Sequence, residues 1–161
     1  MKRTMKAITA VLFSIYCLIL ICILFLGMRS AHTADWTYWT YIRRSFNPVP
    51  FKTIGEYLVR AANHTINIST VWKNLLGNIV LFIPMGFLLP CISPKRLNKF
   101  SRAVVTGILI IIGVECVQLF STLGSFDIDD IILNSLGLTI GFLLFKCKPI
   151  QFLLNKLQII E

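Results

Sequence analysis

The sequence predicts an all-α polytopic membrane protein: a bundle of about four transmembrane helices, with both termini cytoplasmic and an interfacial outer loop. Of the 161 residues, 56% are hydrophobic and only 14% are charged, a composition that a water-facing surface does not tolerate. Four segments are apolar over about the 20 residues that a helix needs to cross a bilayer core. The basic residues are densest beside the ends of these segments, which sets the expected orientation.

The four predicted spans cover residues 7–28, 74–92, 103–123 and 129–145. They leave an outer loop at 29–73 and a cytoplasmic tail at 146–161, and we treat residues 1–161 as a single membrane domain. The first span follows the basic stretch MKRTMK. Its apolar stretch is too long for a secretory signal, and no small-residue cleavage site follows it, so we expect an uncleaved anchor.

The distribution of basic residues predicts a cytoplasmic N-terminus. With that orientation, ten of the 16 Lys and Arg residues lie inside, close to helix ends, whereas six are spread along the outer loop. This asymmetry follows the positive-inside rule, and we expect a multi-pass protein of the plasma membrane with both termini cytoplasmic. Anchoring beside anionic lipid accounts for the net charge of +9, so we expect no nucleic-acid partner.

Cysteine and histidine positions predict neither a disulfide framework nor a zinc site. None of the five cysteines falls in the outer loop, and no CxxC or Cys/His spacing is present. We interpret the cysteines as small apolar packing residues. The two histidines, His32 and His64, lie in the outer loop without an evident nucleophile partner, and we interpret them as solvated.

The outer loop is predicted to lie against the bilayer surface. The stretch DWTYWTY interleaves aromatic and polar residues, which is typical of an interfacial belt, although a ligand-stacking surface is the alternative. The prolines of NPVPF exclude a regular helix there. Residues 53–62 place apolar side chains at helical spacing, which predicts a short helix on the membrane, and the tail PIQFLLNKLQIIE predicts a second interfacial helix.

Two predicted spans carry pairs of polar residues near their outer ends. Asn74 and Asn78 are four residues apart in the second span, and Glu115 and Gln118 are three apart in the third, so each pair lies on one helical face. An intramembrane amide is often only a helix-to-helix hydrogen bond. An intramembrane carboxylate such as Glu115 is by default a functional candidate.

The fourth predicted span carries the longest polar stripe. Asp130, Asn134, Gly137 and Gly141 step by four, three and four residues, and the two glycines also favour a close approach to a neighbouring helix. Because adjacent spans run in opposite directions, these polar faces meet in the same leaflet. We therefore predict one outward-facing binding site, formed by Asn74, Asn78, Glu115, Gln118, Asp127, Asp129, Asp130 and Asn134.

Two of the three aspartates before the fourth span have a structural interpretation. Asp127 is suited to cap the helix, and Asp129 complements the helix dipole in its first turn. We expect both at the outer mouth, where they need not be buried. Asp130 begins the polar stripe, which capping does not explain.

The second span also contains two prolines and a glycine. Pro84 cannot donate a hydrogen bond to the carbonyl of Val80, which predicts a kink. Gly86 leaves room for close packing, and Pro90 is expected to end the span.

These motifs together resemble the VanZ-like family of bacterial membrane proteins. The resemblance rests on NLLGNIVLFIPMGFLLP, ECVQ and FDIDDIILNSLG, with NPVPFKTI upstream. It implies resistance to the glycopeptide antibiotic teicoplanin. The partners that we expect on this basis are a membrane lipid, a lipid-linked cell-wall precursor or the antibiotic itself.

The leading hypothesis is that the polar site binds one of these ligands and so reduces the effect of the drug. The alternative is a membrane enzyme that modifies lipid or wall precursors with its carboxylates. It is less favoured because the sequence has no GxSxG, HExxH, P-loop or EF-hand pattern. A third hypothesis is a structural or assembly subunit. We expect no cofactor, although oxygen-rich clusters suit Mg²⁺ or Ca²⁺ and leave a divalent cation open. The sequence predicts no oligomeric state.

Overall fold

A computed structural model describes residues 2–26 and 36–159. Four of its helices are long and apolar enough to cross a membrane, which confirms the predicted all-α fold class. The elements in chain order are α1 (Lys2–Ile21), continued by a π-helical turn (Cys22–Leu26), α2 (Tyr38–Ser45), β1 (Phe46–Asn47), α3 (Lys52–Ala62), α4 (Ile68–Ile92), α5 (Pro94–Leu97), α6 (Phe100–Phe120), β2 (Phe126–Asp127), α7 (Ile128–Lys146) and α8 (Lys148–Lys156).

The two ends of the bundle differ in chemistry and are named here for that difference. At the basic end, α1, α5 and α6 begin and α4 and α7 end. At the carboxylate end, α6 passes through β2 into α7, and α2, β1 and α3 lie nearby. The predicted outer loop covers residues 29–73. Its second half is largely helical, because α3 covers Lys52–Ala62 and α4 begins at Ile68.

The long helices differ slightly from the predicted spans. Asn67 caps α4 by accepting a hydrogen bond from the Ser69 amide at 3.1 Å, so this helix begins at Ile68, earlier than the predicted residue 74. It also continues through Pro84 and Pro90 to Ile92. Pro90 therefore does not end the helix as predicted.

Close contact between α4 and α7 forms the centre of the bundle. A Cβ added at Gly137 would collide with the Ile79 carbonyl oxygen, and one added at Gly86 would collide with that of Leu138. The two backbones touch here, which is the close approach that small residues permit between membrane helices. The prediction of a close neighbour for the fourth span is confirmed, and that neighbour is α4.

Apolar side chains fill the space around this contact. Phe82 and Ile111 are fully buried together with Leu138, and Phe142 and Phe145 form a second cluster nearer the basic end. By contrast, α1 packs loosely. Of the most apolar 18-residue stretch of this span, 17% is buried, compared with 44% for α7. The outward faces of the long helices expose many large apolar side chains, as lipid contact requires.

Two polar side chains hold α1 against the other helices. The Tyr16 hydroxyl donates to the Leu81 carbonyl at 2.8 Å, one residue beyond Val80, whose carbonyl loses its helical donor to Pro84. The Gln118 side chain donates to the Leu24 carbonyl at 3.0 Å, within the π-helical turn. The second bond satisfies a carbonyl where the helical pattern is irregular.

Candidate functional site

A short parallel strand pair builds the carboxylate end. Phe46 pairs with Phe126, and Asn47 pairs with Asp127. The two phenylalanine rings lie 5.1 Å apart between centroids. This pairing, which the sequence did not predict, brings the loop at residues 48–51 over the start of α7. We call residues 48–51 the proline loop.

Asp127 caps α7, as predicted, and also fastens β1 and α3. Its Oδ1 accepts from the Asp129 amide at 2.9 Å and from the Asn47 side chain at 3.2 Å. Its Oδ2 accepts from the Thr53 hydroxyl at 2.5 Å. These three bonds use most of the acceptor capacity of the carboxylate.

Asp129 acts on another helix as well as on its own. Its two carboxylate oxygens accept from the amides of Phe51, at 2.5 Å, and Ile54, at 3.0 Å. Phe51 occupies the N-cap position of α3 but has no side-chain oxygen with which to cap it. The carboxylate of Asp129 therefore supplies the missing cap from α7. It also holds Phe51 in its left-handed backbone conformation, φ 63°, which is unfavourable for a non-glycine residue.

Both residues are buried, which corrects the expectation that they need not be. Asp127 is 7% exposed and Asp129 is 1% exposed. The proline loop and α3 cover them, and donors from these segments offset the loss of water around each carboxylate.

The other two carboxylates face the interior of the bundle from α6 and α7. Glu115 is buried and accepts a hydrogen bond from the Asp127 amide at 3.2 Å. Asp130 accepts one from the Asn78 side chain on α4. We call Glu115, Asp127, Asp129 and Asp130 the carboxylate cluster.

One amide beside the cluster has an unused acceptor. Asn134 lies one helical turn from Asp130, is 3% exposed, and its Oδ1 has no hydrogen-bond partner. The Asn47 Oδ1 is buried without a partner as well, although its Nδ2 bonds both Asp127 and Thr53. A buried acceptor without a donor costs about 1–3 kcal/mol. Both atoms therefore have acceptor capacity that the described residues do not use.

Two predicted site residues make hydrogen bonds outside the cluster. Asn74 is exposed and donates to the Thr70 carbonyl of its own helix at 2.8 Å. Gln118 is buried and donates to α1. The structure thus brings together Asn78, Glu115, Asp127, Asp129, Asp130 and, one turn deeper, Asn134.

Sequence reasoning missed the contribution of the segment that follows β1. Asn47 and Thr53 donate side-chain hydrogen bonds to Asp127, and Phe51 and Ile54 donate backbone ones to Asp129. The available signal was NPVPF, whose prolines keep this segment out of a helix and leave its few N–H groups free for other acceptors.

Tyr57 on α3 lies at the rim of the cluster. Burial, followed by the negative charges of Asp130 and Asp127, raises the pKa of its hydroxyl above the ordinary value, and Arg60 opposes the shift. Within residues 2–26 and 36–159, no Lys, Arg or His forms an ion pair with a carboxylate of the cluster. Among the described residues, the hydrogen-bond donors that stabilise the cluster are therefore uncharged.

The same residues offer little support for a metal centre. In the part of the chain that the structure describes, no three His, Cys, Asp or Glu side chains converge in a way that could hold a metal ion. Carboxylates bound to protein donors have fewer free lone pairs for a cation. A divalent cation at the cluster stays a prediction.

The aromatic segment that precedes β1 packs against the same end. The Tyr41 hydroxyl donates to the Gly124 carbonyl at 2.6 Å, and that of Tyr38 donates to the Phe120 carbonyl at 3.2 Å. Trp39 is exposed, and Arg44 lies over the ring of Trp36 at 4.6 Å. Asp35, the first residue of the predicted aromatic stretch, lies outside the described residues.

Comparison with known proteins gives two matches. The family model described as VanZ/LLP1 matches residues 13–153. A curated relative, "Protein VanZ" of Enterococcus faecium, is 27% identical over 108 residues, which cover 65% of this chain and 55% of that protein. The match thus spans about half the length of the relative. No solved structure matches the chain significantly.

Proposed function

The chain belongs to the VanZ/LLP1 family, and from that premise we propose that it lowers the susceptibility of a bacterial cell to teicoplanin. In this proposal the carboxylate end faces outward and binds a lipid headgroup, a lipid-linked wall precursor or the antibiotic. Family membership supports the phenotype. The geometry of the carboxylate end supports the location of the site.

The distribution of charge supports the outward orientation. Lys95, Arg96, Lys99 and Arg102 lie at the basic end, in and beside α5 and the start of α6. Short basic loops of this kind stay in the cytoplasm. The carboxylate end then faces the cell exterior, where glycopeptides and wall precursors meet the membrane.

The observation that carries the proposal is the surplus of buried and half-buried acceptors at one end of an apolar bundle. Glu115 accepts a hydrogen bond from a backbone amide and Asp130 accepts one from an amide side chain, although a carboxylate has about four lone-pair sites. Asn134 adds a buried oxygen without a partner. A ligand that brings N–H or O–H donors, such as an amine, amide or sugar hydroxyl, would complement this set.

A site within a membrane bundle also gives a physical reason for selectivity among glycopeptides. Teicoplanin carries an acyl chain, whereas vancomycin does not. Partitioning of that chain into the bilayer would raise the local concentration of teicoplanin beside the helices. We therefore expect a larger effect on teicoplanin than on vancomycin.

The experiment expresses wild type, Asp130→Asn and Glu115→Gln at equal membrane abundance and measures susceptibility to both drugs. Each substitution keeps the side-chain size and replaces one acceptor oxygen by a donor. We expect both variants to lose protection against teicoplanin. Glu56→Gln on α3 is the matched control. It is the same type of substitution, but Glu56 is exposed and lies outside the cluster. Full protection by both cluster variants would rule out the cluster as the site.

A carboxylate-based membrane enzyme is the second candidate, favoured by the unlike partners of two carboxylates: Glu115 accepts from a backbone amide and Asp130 from the Asn78 side chain. Two carboxylates in unlike environments are suited to serve as acid and base. Mass spectrometry of lipids and wall precursors, with and without the protein, separates the candidates. A new or depleted species that depends on both residues supports catalysis, whereas an unchanged profile supports binding.

A further inference from the structure

A second site lies at the basic end of the bundle, where a cavity of about 600 Å³ opens between the start of α1, the α4–α6 connection and α8. Its volume is within the range of small-molecule sites in proteins. Its position at the helix ends corresponds to the depth of lipid headgroups. It lies at the opposite end of the long helices from the carboxylate cluster.

Five cations line this cavity, and none of its described lining residues is Asp or Glu. The cations come from two parts of the chain that meet in the folded protein: Lys6 on α1, and Lys95, Arg96, Lys99 and Arg102 around the junction of α5 and α6. Positive side chains held this close together repel one another. An anion between them would convert that repulsion into attraction, most strongly a phosphate, which arginine binds with two parallel hydrogen bonds.

The start of α6 lies beside the same cavity, which Lys99 and Arg102 line. Lys99 is the N-cap residue of α6 and makes no side-chain cap, so the first amides of this 21-residue helix lack side-chain acceptors. Such a helix terminus carries partial positive charge and favours anions. The helix terminus and the five cations thus favour the same kind of ligand.

One part of the remaining wall of the cavity is apolar. Ile92 at the end of α4, Phe145 at the end of α7 and Ile159 after α8 line that part, beside uncharged polar side chains such as Gln151 and Gln158. A free phosphate ion would gain nothing from the apolar side chains. A phospholipid would place its phosphate among the cations and the upper part of its acyl chains along them.

We propose that this cavity binds the headgroup of an anionic phospholipid. The site goes beyond the function proposed above, because it involves different residues at the other end of the bundle. A lipid bound there would link α1, α6 and α8. Of the four spans, α1 has the smallest buried fraction. We expect the bound lipid to hold α1 and α8 against the bundle.

The test reconstitutes the full chain in nanodiscs of phosphatidylcholine with a minor fraction of phosphatidylglycerol. The protein is extracted in mild detergent, and the phosphatidylglycerol retained per protein is measured by mass spectrometry. We expect wild type to retain phosphatidylglycerol in preference to phosphatidylcholine. Arg96→Gln/Arg102→Gln should reduce that retention about tenfold, and the same pair changed to Lys should keep part of it.

The matched control removes two charges from the same end outside the cavity, as Lys148→Gln/Lys156→Gln. Both side chains are exposed on α8 and do not line the cavity. Retention close to wild type supports a defined site. An equal loss in both double variants would mean general attraction to the surface and would overturn the proposal.

Added inorganic phosphate distinguishes a lipid from a soluble anion. Because the apolar wall contributes to lipid binding, an excess of phosphate should leave the retained phosphatidylglycerol in place. Complete displacement would identify a soluble phosphate as the preferred ligand and would also overturn the proposal. Susceptibility to teicoplanin is scored separately, so failure of the lipid site and failure of the carboxylate site are distinguishable.

Discussion

Asp129→Asn is expected to release the proline loop while leaving the membrane bundle folded. The carboxylate of Asp129 accepts the amides of Phe51 and Ile54 at 2.5 and 3.0 Å. Asparagine keeps one acceptor oxygen and replaces the other by an NH₂ group, so one of these amides meets a donor. A buried hydrogen bond to a charged group that is lost in this way costs about 2 kcal/mol.

That cost acts on a local equilibrium. Phe51 must hold its left-handed conformation for its amide to reach Asp129, so the loop has an additional reason to open when the bond is lost. A change of about 2 kcal/mol corresponds to about a 30-fold larger open population. Amides at the start of α3 should exchange with solvent faster by about that factor.

Hydrogen–deuterium exchange of the purified protein in nanodiscs measures this effect. Peptides that cover residues 46–58 should exchange faster in Asp129→Asn, and peptides from α4 and α7 should be unchanged. Glu56→Gln, which alters an exposed carboxylate of the same helix, should behave like wild type. Unchanged exchange over residues 46–58 would refute the assignment of Asp129 as the cap of α3, and so would uniformly faster exchange of all helices.

Three further predictions concern pH, packing and the unpartnered amide. The pKa of Tyr57 lies above the ordinary 10.0, so the folded state keeps the hydroxyl proton to a higher pH than the unfolded state does, and stability falls as pH rises from the unfolded pKa to the folded pKa. Ultraviolet titration of wild type, with Tyr57→Phe as the blank, measures the shift; Asp130→Asn should reduce it only in part, because burial is its larger cause. Gly137→Leu should abolish the folded bundle, because its Cβ meets α4 backbone, whereas Gly113→Ala, with open space around it, should express normally. Asn134→Leu should leave the free energy of unfolding unchanged or about 1 kcal/mol higher, because it removes a buried acceptor without a partner. Protection against teicoplanin should nevertheless fall, and retained protection would show that this amide has no part in binding.

The helical part of the fold could be predicted because its signals are local. Apolar length sets each span, and the small residues at Gly137 and Gly141 mark a close helix contact before the partner is known. The cap at Asp127 follows from residue type and position alone. Such signals depend on neighbours within one or two turns, which a single sequence contains.

The cover over the carboxylates could not be predicted, because it depends on contacts between distant residues. Asn47 and Asp127 are 80 residues apart, and two-residue strands are too short to give an alternating pattern. Asp129 looked sufficient as a dipole partner for its own helix, so nothing in its neighbourhood indicated that it caps α3. The spacing of asparagines on one helical face also did not indicate which of them face the site. Asn78 donates to Asp130 across the bundle, whereas Asn74, one turn earlier on the same face, donates to a carbonyl of its own helix.

The structure divides the carboxylates by how fully the protein already uses them. Asp127 accepts three hydrogen bonds and Asp129 accepts two from the segment around the proline loop, so their first effect is to hold that segment in place. Glu115, Asp130 and Asn134 retain acceptor capacity, so a ligand would bond mainly to them. Substitutions in the first group should therefore change both amide exchange over the loop and drug susceptibility. Substitutions in the second group should change susceptibility alone, and this difference separates a residue that shapes the site from one that contacts its ligand.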